Sequence, residues 1–327
     1  MADNVTQPDL ALEANRLTKR YGALTAIEDI TFKVGPGEIV GFLGPNGAGK
    51  STTLRILAGR LLATSGRATI WGESVALEPA KAKQHLAYMP ENNPLPEDLR
   101  IREYLELRAR LKGVDEDQVE LRVDQSMHDC DLQGRAGMLI AHLSKGFRQR
   151  VGIADALLAE PKIILLDEPT IGLDPHQILG IRDLLRSLRG KMAVLISSHI
   201  LAEVEQVCDR VIILNRGRIV AQGRTDELRR DLLPSRGHRV VAACTLAELE
   251  RLTRAMDTQS TCREVRMVGD GWCEFRIILS PDSPARDQLL SSLVSAGLRV
   301  REVAEEQAGL EDIFLAATRR DNREVRT

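Results

Sequence analysis

The feature that most constrains this 327-residue chain is a glycine-rich loop between an apolar strand and an amphipathic helix. The strand-like run Glu38–Leu43 precedes the loop, and leucines that recur on one face predict a helix over Ser51–Leu62. The loop reads Gly44, Pro45, Asn46, Gly47, Ala48, Gly49, Lys50 and Ser51. Its glycines allow backbone N–H groups to surround an anion, and the helix N-terminus adds a positive dipole end. The pattern therefore predicts a cradle for the phosphate groups of a nucleotide.

The last residues of the loop have distinct predicted roles. Lys50 is expected to reach the β- and γ-phosphates, and the hydroxyl of Ser51 can be a ligand of Mg²⁺. Thr52 follows in the first turn of the helix and is predicted to contact the nucleotide as well. The expected ligands are therefore a nucleoside triphosphate and Mg²⁺.

A pair of carboxylates narrows the chemistry further. The apolar run Ile163–Leu166 predicts a buried parallel strand that ends at Asp167 and Glu168. Asp167 is placed to hold Mg²⁺, and Glu168 is placed to accept a proton from an attacking water. The alternative is a solvated strand end, but a buried strand that leads into an Asp-Glu pair favours a hydrolytic site.

Further segments carry a resemblance to a known family. The run from Leu143 to Arg150, which reads LSKGFRQR, resembles the signature of ABC ATPases, whose usual form is LSGGQ. Gly172–Pro175 resembles their D-loop, and His199 resembles their switch histidine. Tyr21 lies upstream of the loop, where family members stack an aromatic ring on adenine. The resemblance covers roughly residues 12–230 and implies that the nucleotide is ATP.

The resemblance also implies that two chains share each ATP. The glycine-rich loop of one subunit and the signature of the other would hold the nucleotide, so a second ATPase subunit is expected, as a homodimer. Ser144 is a good helix N-cap, and Gly146 keeps the backbone approachable, which places a helix N-terminus opposite the γ-phosphate. The resemblance assigns Asp174 to contacts with the opposite subunit and His199 to a hydrogen bond with the γ-phosphate.

The sequence departs from the usual family pattern in two places. Glu91 stands where most members have glutamine, and its carboxylate can still face Mg²⁺. Lys145 and Phe147 replace the first glycine and the glutamine of the signature. These segments, with Leu310–Phe314 near the end of the chain, are similar to ATPases of type-2 export systems, including a gliding-motility-like branch. By analogy alone, the direction of transport is expected to be export.

The order of the predicted elements indicates the domains. Strands that alternate with helices predict an α/β P-loop NTPase core over residues 12–233, and the resemblance adds an antiparallel β subdomain. Charged, helical periodicity predicts an inserted helical subdomain at about 97–158. Beyond a break at Pro234 and Gly237, the order βαββαβ over 238–327 predicts a small α+β accessory domain, with a helix at 245–256, and fits a ferredoxin-like plan.

Charge and hydropathy bear on the partners. The net charge is −2, which does not indicate nucleic-acid binding, and no apolar run approaches the length of a spanning helix. The expected partners are integral membrane permease subunits that hold the chain peripherally on the cytoplasmic face of a membrane. The alternative is a soluble ABC ATPase that acts on ribosomes or DNA, yet neither a second cassette nor a long coiled-coil insertion is present. A P-loop GTPase or small-molecule kinase would leave the signature unexplained.

Overall fold

The computed structural model describes residues 10–233, 236–245, 248, 261–269, 271–279, 286–306 and 309–324. These residues form two compact units, Met1–Arg224 and Thr225–Thr327. Within the described residues, no helix is both long enough and apolar enough to cross a lipid bilayer.

The first unit contains ten strands, seven α-helices and two short 3-10 helices in its described residues. The strands are β1 (Leu12–Tyr21), β2 (Leu24–Val34), β3 (Ile39–Leu43), β4 (Ser65–Ile70), β5 (Glu73–Ser74), β6 (Leu86–Met89), β7 (Ile163–Asp167), β8 (Ala193–Ser198), β9 (Arg210–Asn215) and β10 (Arg218–Gly223). The helices are α1 (Lys50–Leu57), α2 (Pro79–Gln84), α3 (Ile101–Leu111), α4 (Val119–Asp129), α5 (Lys145–Leu157), α6 (Pro175–Leu188) and α7 (Leu201–Val207).

Two sheets organise this unit. One is antiparallel with the strand order β2-β1-β4-β5, and the other has the order β10-β9-β3-β8-β7-β6. In the second sheet all neighbours are parallel except the edge pair β9 and β10. Helices α3, α4 and α5 share a buried apolar cluster and form the helical part. The predicted α/β fold class, with its antiparallel and helical parts, is confirmed.

The parallel sheet brings its functional segments to one edge. Strands β3, β7 and β8 are wholly buried. Leu43 pairs with Ser198, and Asp167 pairs with Ser197, so the carboxyl ends of the three strands lie side by side. The glycine-rich loop after β3 therefore lies next to the acidic end of β7, at the edge where α/β sheets bind ligands.

Two local differences from the sequence predictions have clear causes. Helix α1 ends at Leu57 rather than Leu62, because Gly59 takes a left-handed φ of +62° and closes the last turn. Strand β1 was not predicted. A register shift between Ala14 and Leu17 breaks the alternation of buried and exposed residues on which a strand prediction depends.

The second unit is an antiparallel α+β structure. Its elements are α8 (Thr225–Leu232), β11 (Arg236–Ala243), β12 (Thr261–Gly269), β13 (Trp272–Leu279), α9 (Arg286–Ser295), β14 (Arg299–Glu306) and α10 (Leu310–Glu324). The strand order is β12-β13-β11-β14, over a core that includes Val240, Phe275 and Leu293. This order, with the first and third strands at the centre, supports our proposal of a ferredoxin-like arrangement.

The boundary between the units differs from the predicted one. The sequence placed the break after residue 233, whereas α8 groups with the second unit because it packs against α10. Most of the helix predicted at 245–256 lies outside the described residues.

Candidate functional site

A cavity of about 630 Å³ opens at the carboxyl edge of the parallel sheet. It lies between the glycine-rich loop, the start of β2 and the ends of β7 and β8. Its lining residues are Leu24, Thr25, Ala26, Pro45, Asn46, Gly47, Ala48, Gly49, Lys50, Ser51, Thr52, Glu91, Glu168, Ile171, His199 and Arg216. Most of the predicted nucleotide-contacting residues are therefore around one space.

Close packing explains why the loop needs its glycines. Gly49 has a φ of +103°, and a Cβ atom there would lie 2.5 Å from Ile27 Cγ2 and 2.9 Å from the Ala26 carbonyl oxygen. A Cβ atom on Gly44 would lie 2.7 Å from the Leu214 carbonyl oxygen. Gly47 is also left-handed, with open space beside it. The loop is thus held against β2 and β9, and its outer side is open to a ligand.

The start of α1 fits a phosphate group. Gly49 occupies the N-cap, and no side chain caps the helix. The first backbone N–H groups of a helix have no acceptor within the helix, and an anion satisfies them well. The loop geometry thus suits the phosphates of ATP.

Lys50 lies at the inner wall of the cavity and is 6 % exposed. Its Nζ donates to the Gly44 carbonyl oxygen at 2.7 Å and lies 3.3 Å from Glu168 Oε1. A buried ammonium group is thus held between the loop and the acidic strand end, where phosphate oxygens would compete for it.

Asp167 has a setting that fits a cation. The side chain is 1 % exposed, and its Oδ1 accepts hydrogen bonds from Ser51 Oγ at 3.1 Å and Ser197 Oγ at 2.6 Å. Among the described residues, no basic side chain makes an ion pair with it. Burial of an unpaired carboxylate is costly, so a bound cation would stabilise this arrangement.

The protein supplies few metal ligands of its own. The described part of the chain holds no cluster of three or more His, Cys, Asp or Glu side chains suited to a metal ion. Mg²⁺ commonly uses one or two protein ligands and completes its shell with substrate phosphates and waters. Ser51 and Asp167 match that donor set. Glu91 is exposed and lines the same cavity.

Glu168 is held in position from both sides. It is 5 % exposed, and its φ of +50° is unusual for a residue that is not glycine. Its N–H donates to Ser197 Oγ at 3.0 Å, and its Oε2 lies 2.8 Å from His199 Nδ1. With Lys50 at the other carboxylate oxygen, the carboxylate is fixed where it lines the cavity.

The signature residues lie outside the cavity lining. Ser144 is exposed and caps α5, where its Oγ accepts from the Phe147 N–H at 3.5 Å. Asp174 is exposed and caps α6, where its Oδ1 accepts from the Gln177 N–H at 2.9 Å. Gly146 is buried, and a Cβ atom there would lie 2.6 Å from Gln177 Cδ. In a single chain, the space beside Gly146 is therefore occupied by the Gln177 side chain of α6.

The two unusual signature residues pack within the same chain. The guanidinium of Arg135 lies 4.1 Å from the centre of the Phe147 ring. A Cβ atom on Gly172 would lie 2.5 Å from Lys145 Nζ. Lys145 thus lies beside the predicted D-loop.

Tyr21 also lies outside the cavity lining, at 49 % exposure, and Lys19 Nζ is 5.2 Å from its ring centre. The residues that follow it in the hairpin, Leu24, Thr25 and Ala26, do line the cavity. Those residues, with Ile171 and Arg216, were not predicted from the sequence.

Ser197 is a further residue that the sequence analysis missed. Its hydroxyl contacts both Asp167 and the backbone of Glu168, so it orients both acidic residues. The only sequence signal is a pair of serines at the end of an otherwise apolar strand.

Comparison with known proteins identifies the family of this chain. The chain matches the ABC transporter family over residues 27–171. It is 32 % identical to the daunorubicin/doxorubicin resistance ATP-binding protein DrrA of Streptomyces peucetius, over 96 % of this chain and 94 % of that protein. It is 34 % identical to the Nod factor export ATP-binding protein I of Rhizobium etli, over 68 % of this chain and 71 % of that protein.

A solved structure shows the same architecture. A dimeric ATP-binding cassette in a post-hydrolysis state, bound to ADP and Pi, superposes with a TM-score of 0.59 at 25 % identity, over 65 % of this chain and 98 % of that one.

The fold and the cavity define a P-loop ATPase. The chain belongs to the ABC transporter family, as one of its ATP-binding proteins. Its activity is ATP hydrolysis. ATP-binding subunits of this family generally dimerise and pair with membrane permeases.

Proposed function

We propose that this chain is the ATP-hydrolysing subunit of an ABC exporter, and that it works as a homodimer on permease subunits at the cytoplasmic face of a membrane. The relatives named for drug resistance and Nod factor export support the export direction. The observation that carries the catalytic part is the Glu168 carboxylate, which lines the cavity and is held between Lys50 and His199.

Glu168 is proposed as the general base. Its carboxylate can accept a proton from a water that attacks the γ-phosphate, and its hydrogen bonds fix the direction from which it does so. His199 uses Nδ1 for Glu168, which leaves its other ring nitrogen for the γ-phosphate. Lys50 neutralises charge that develops on the phosphate oxygens.

Mg²⁺ is proposed to be held by Ser51 and Asp167, with Glu91 near enough to the cavity to contribute through oxygen. When bound, the ion would neutralise charge on the phosphate oxygens. Ser197 keeps the Asp167 carboxylate oriented toward Ser51.

A second copy of the chain is proposed to close the cavity. Ser144, Gly146 and Asp174 lie away from the lining of their own chain, and Ser144 presents an exposed helix N-terminus. Such an end is a favourable site for a γ-phosphate held by the other subunit. Tyr21, which lies three residues before Leu24 of the cavity lining, is proposed to stack on adenine.

Purification of the tagged full-length chain from detergent extracts tests the proposed partners. We expect a multi-span membrane protein to co-purify with the chain. The alternative of a soluble ABC ATPase would instead yield ribosomes or DNA, and recovery of only those would contradict the exporter proposal.

A further inference from the structure

A hydrogen bond outside the nucleotide cavity joins the two segments that carry Glu168 and His199. The hydroxyl of Thr170 donates to the carboxylate of Glu203. Thr170 is buried two residues after Glu168, and Glu203 lies in the first turn of α7, four residues after His199. The roles proposed above use neither of these residues.

The surroundings make this hydrogen bond important for Glu203. A small cavity of about 20 Å³, room for one water molecule, lies beside it and is lined in part by Thr170, Glu203, Arg182 and Ser198. Within the described part of the chain, the buried Nε of Arg182 has no hydrogen-bond partner. Glu203 is half-buried, so its carboxylate is only partly hydrated and the Thr170 hydroxyl supplies part of its polar contacts.

The position of His199 depends on α7. His199 follows β8 directly and precedes α7, and its side chain is 40 % exposed, so packing holds it only in part. Helix α7 has seven residues, too few to be stable without tertiary contacts. The Thr170–Glu203 bond ties the first turn of this helix to the segment that begins with the strained backbone of Glu168.

We propose that the Thr170–Glu203 hydrogen bond holds His199 against Glu168 during ATP hydrolysis, which makes Thr170 and Glu203 positioning residues. The inference rests on the roles proposed for Glu168 and His199. Neither Thr170 nor Glu203 lines the nucleotide cavity. Loss of the bond should therefore lower kcat and leave the KM for ATP nearly unchanged.

Steady-state ATP hydrolysis by the full-length chain measures kcat and the KM for ATP separately. Thr170→Val and Glu203→Ala each remove the bond, and each should lower kcat by about 10–100-fold, the range seen when a partner that orients an active-site group is lost. Thr170→Ser and Glu203→Gln keep a donor and an acceptor, and should retain most of the activity. Glu120→Ala, at an exposed position on α4, is the control and should behave as wild type.

A double-mutant cycle separates positioning from general destabilisation. In a His199→Ala background, Thr170→Val should lower single-turnover hydrolysis by no more than about twofold, because residues that act as a unit are not additive. Unchanged kcat in both Thr170→Val and Glu203→Ala would overturn the inference. The inference would also be overturned if Thr170→Val lowered hydrolysis in the His199→Ala background by the same factor as in the wild type. A fall in melting temperature that accounts for the loss of kcat would overturn it as well. Normal turnover in Glu168→Gln would instead refute the proposed catalytic role.

Discussion

The nucleotide cavity and the signature segment are held by different kinds of contact. In the cavity, Lys50, Asp167 and Glu168 are buried and bind one another or nearby hydroxyls. In the signature segment, Ser144 is exposed and makes a single long cap hydrogen bond. The cavity thus has its charged groups in place within one chain, whereas the signature presents an uncovered helix N-terminus. We infer that each chain carries one organised half of a hydrolysis site and one half that a second chain must use.

The largest loss of ATP hydrolysis is expected from Glu168→Gln, in the nucleotide cavity. The amide keeps the shape of the side chain but does not act as a base, so hydrolysis should fall by about 10²–10⁴-fold. ATP should still bind and should trap a dimer. Phosphate release and light scattering after size-exclusion chromatography measure both results. Glu120→Gln, at an exposed position on α4, is the control. Undiminished turnover in Glu168→Gln would remove this residue as the general base.

Lys50→Ala tests whether the two halves differ in nucleotide binding. Loss of a charge-assisted contact with the phosphates should weaken ATP affinity by about 10–150-fold, as measured by calorimetry. Lys145→Ala removes an exposed lysine of the signature, outside the cavity lining, and should leave the affinity of a single chain unchanged. Equal losses in the two variants would mean that the cavity alone does not hold the phosphates.

Two glycine-to-alanine substitutions compare how well the glycine-rich loop and the signature segment tolerate an added methyl group. In Gly49→Ala, the new Cβ atom would meet a backbone carbonyl at 2.9 Å in a left-handed conformation, so a loss of about 1–3 kcal/mol in stability is expected. In Gly146→Ala, the atoms met belong to the end of the flexible Gln177 side chain, and the loss should be below about 1 kcal/mol.

Urea unfolding measures both glycine variants. Gly134→Ala is the reference, because no atom lies within 4 Å of a Cβ there. A larger loss in Gly146→Ala than in Gly49→Ala would reverse the comparison between the two halves.

The parts of the site that are contiguous in sequence could be predicted. The loop Gly44–Ser51 and the pair Asp167 and Glu168 each combine a strand with a polar end, and parallel pairing brings such ends together. Ser197 and Arg216 could not be predicted in this way. Ser197 contacts Asp167, which lies 30 residues earlier in the chain, and Arg216 joins the glycine-rich loop in the cavity lining, so local spacing does not report either proximity.

The fold was predictable where local periodicity is regular. The buried strand β7 matches the predicted range closely, because its apolar run is undisturbed. Strand β1 was missed because bulges shift its pattern, and α1 is shorter because of a left-handed glycine. The grouping of α8 depends on packing against α10, which lies about 80 residues away in sequence, beyond the reach of a local pattern.

The central claim is that one chain's cavity is completed by another chain's signature, and mixing two inactive variants tests it most directly. Glu168→Gln keeps the signature, and Ser144→Arg keeps the cavity, so each alone should hydrolyse ATP poorly. Mixed in equal amounts, they should recover about a quarter of wild-type activity, because half of the random pairs are mixed and each has one intact site. A mixture as inactive as its components, with both variants folded and able to bind ATP, would contradict the claim. So would wild-type turnover by Ser144→Arg alone.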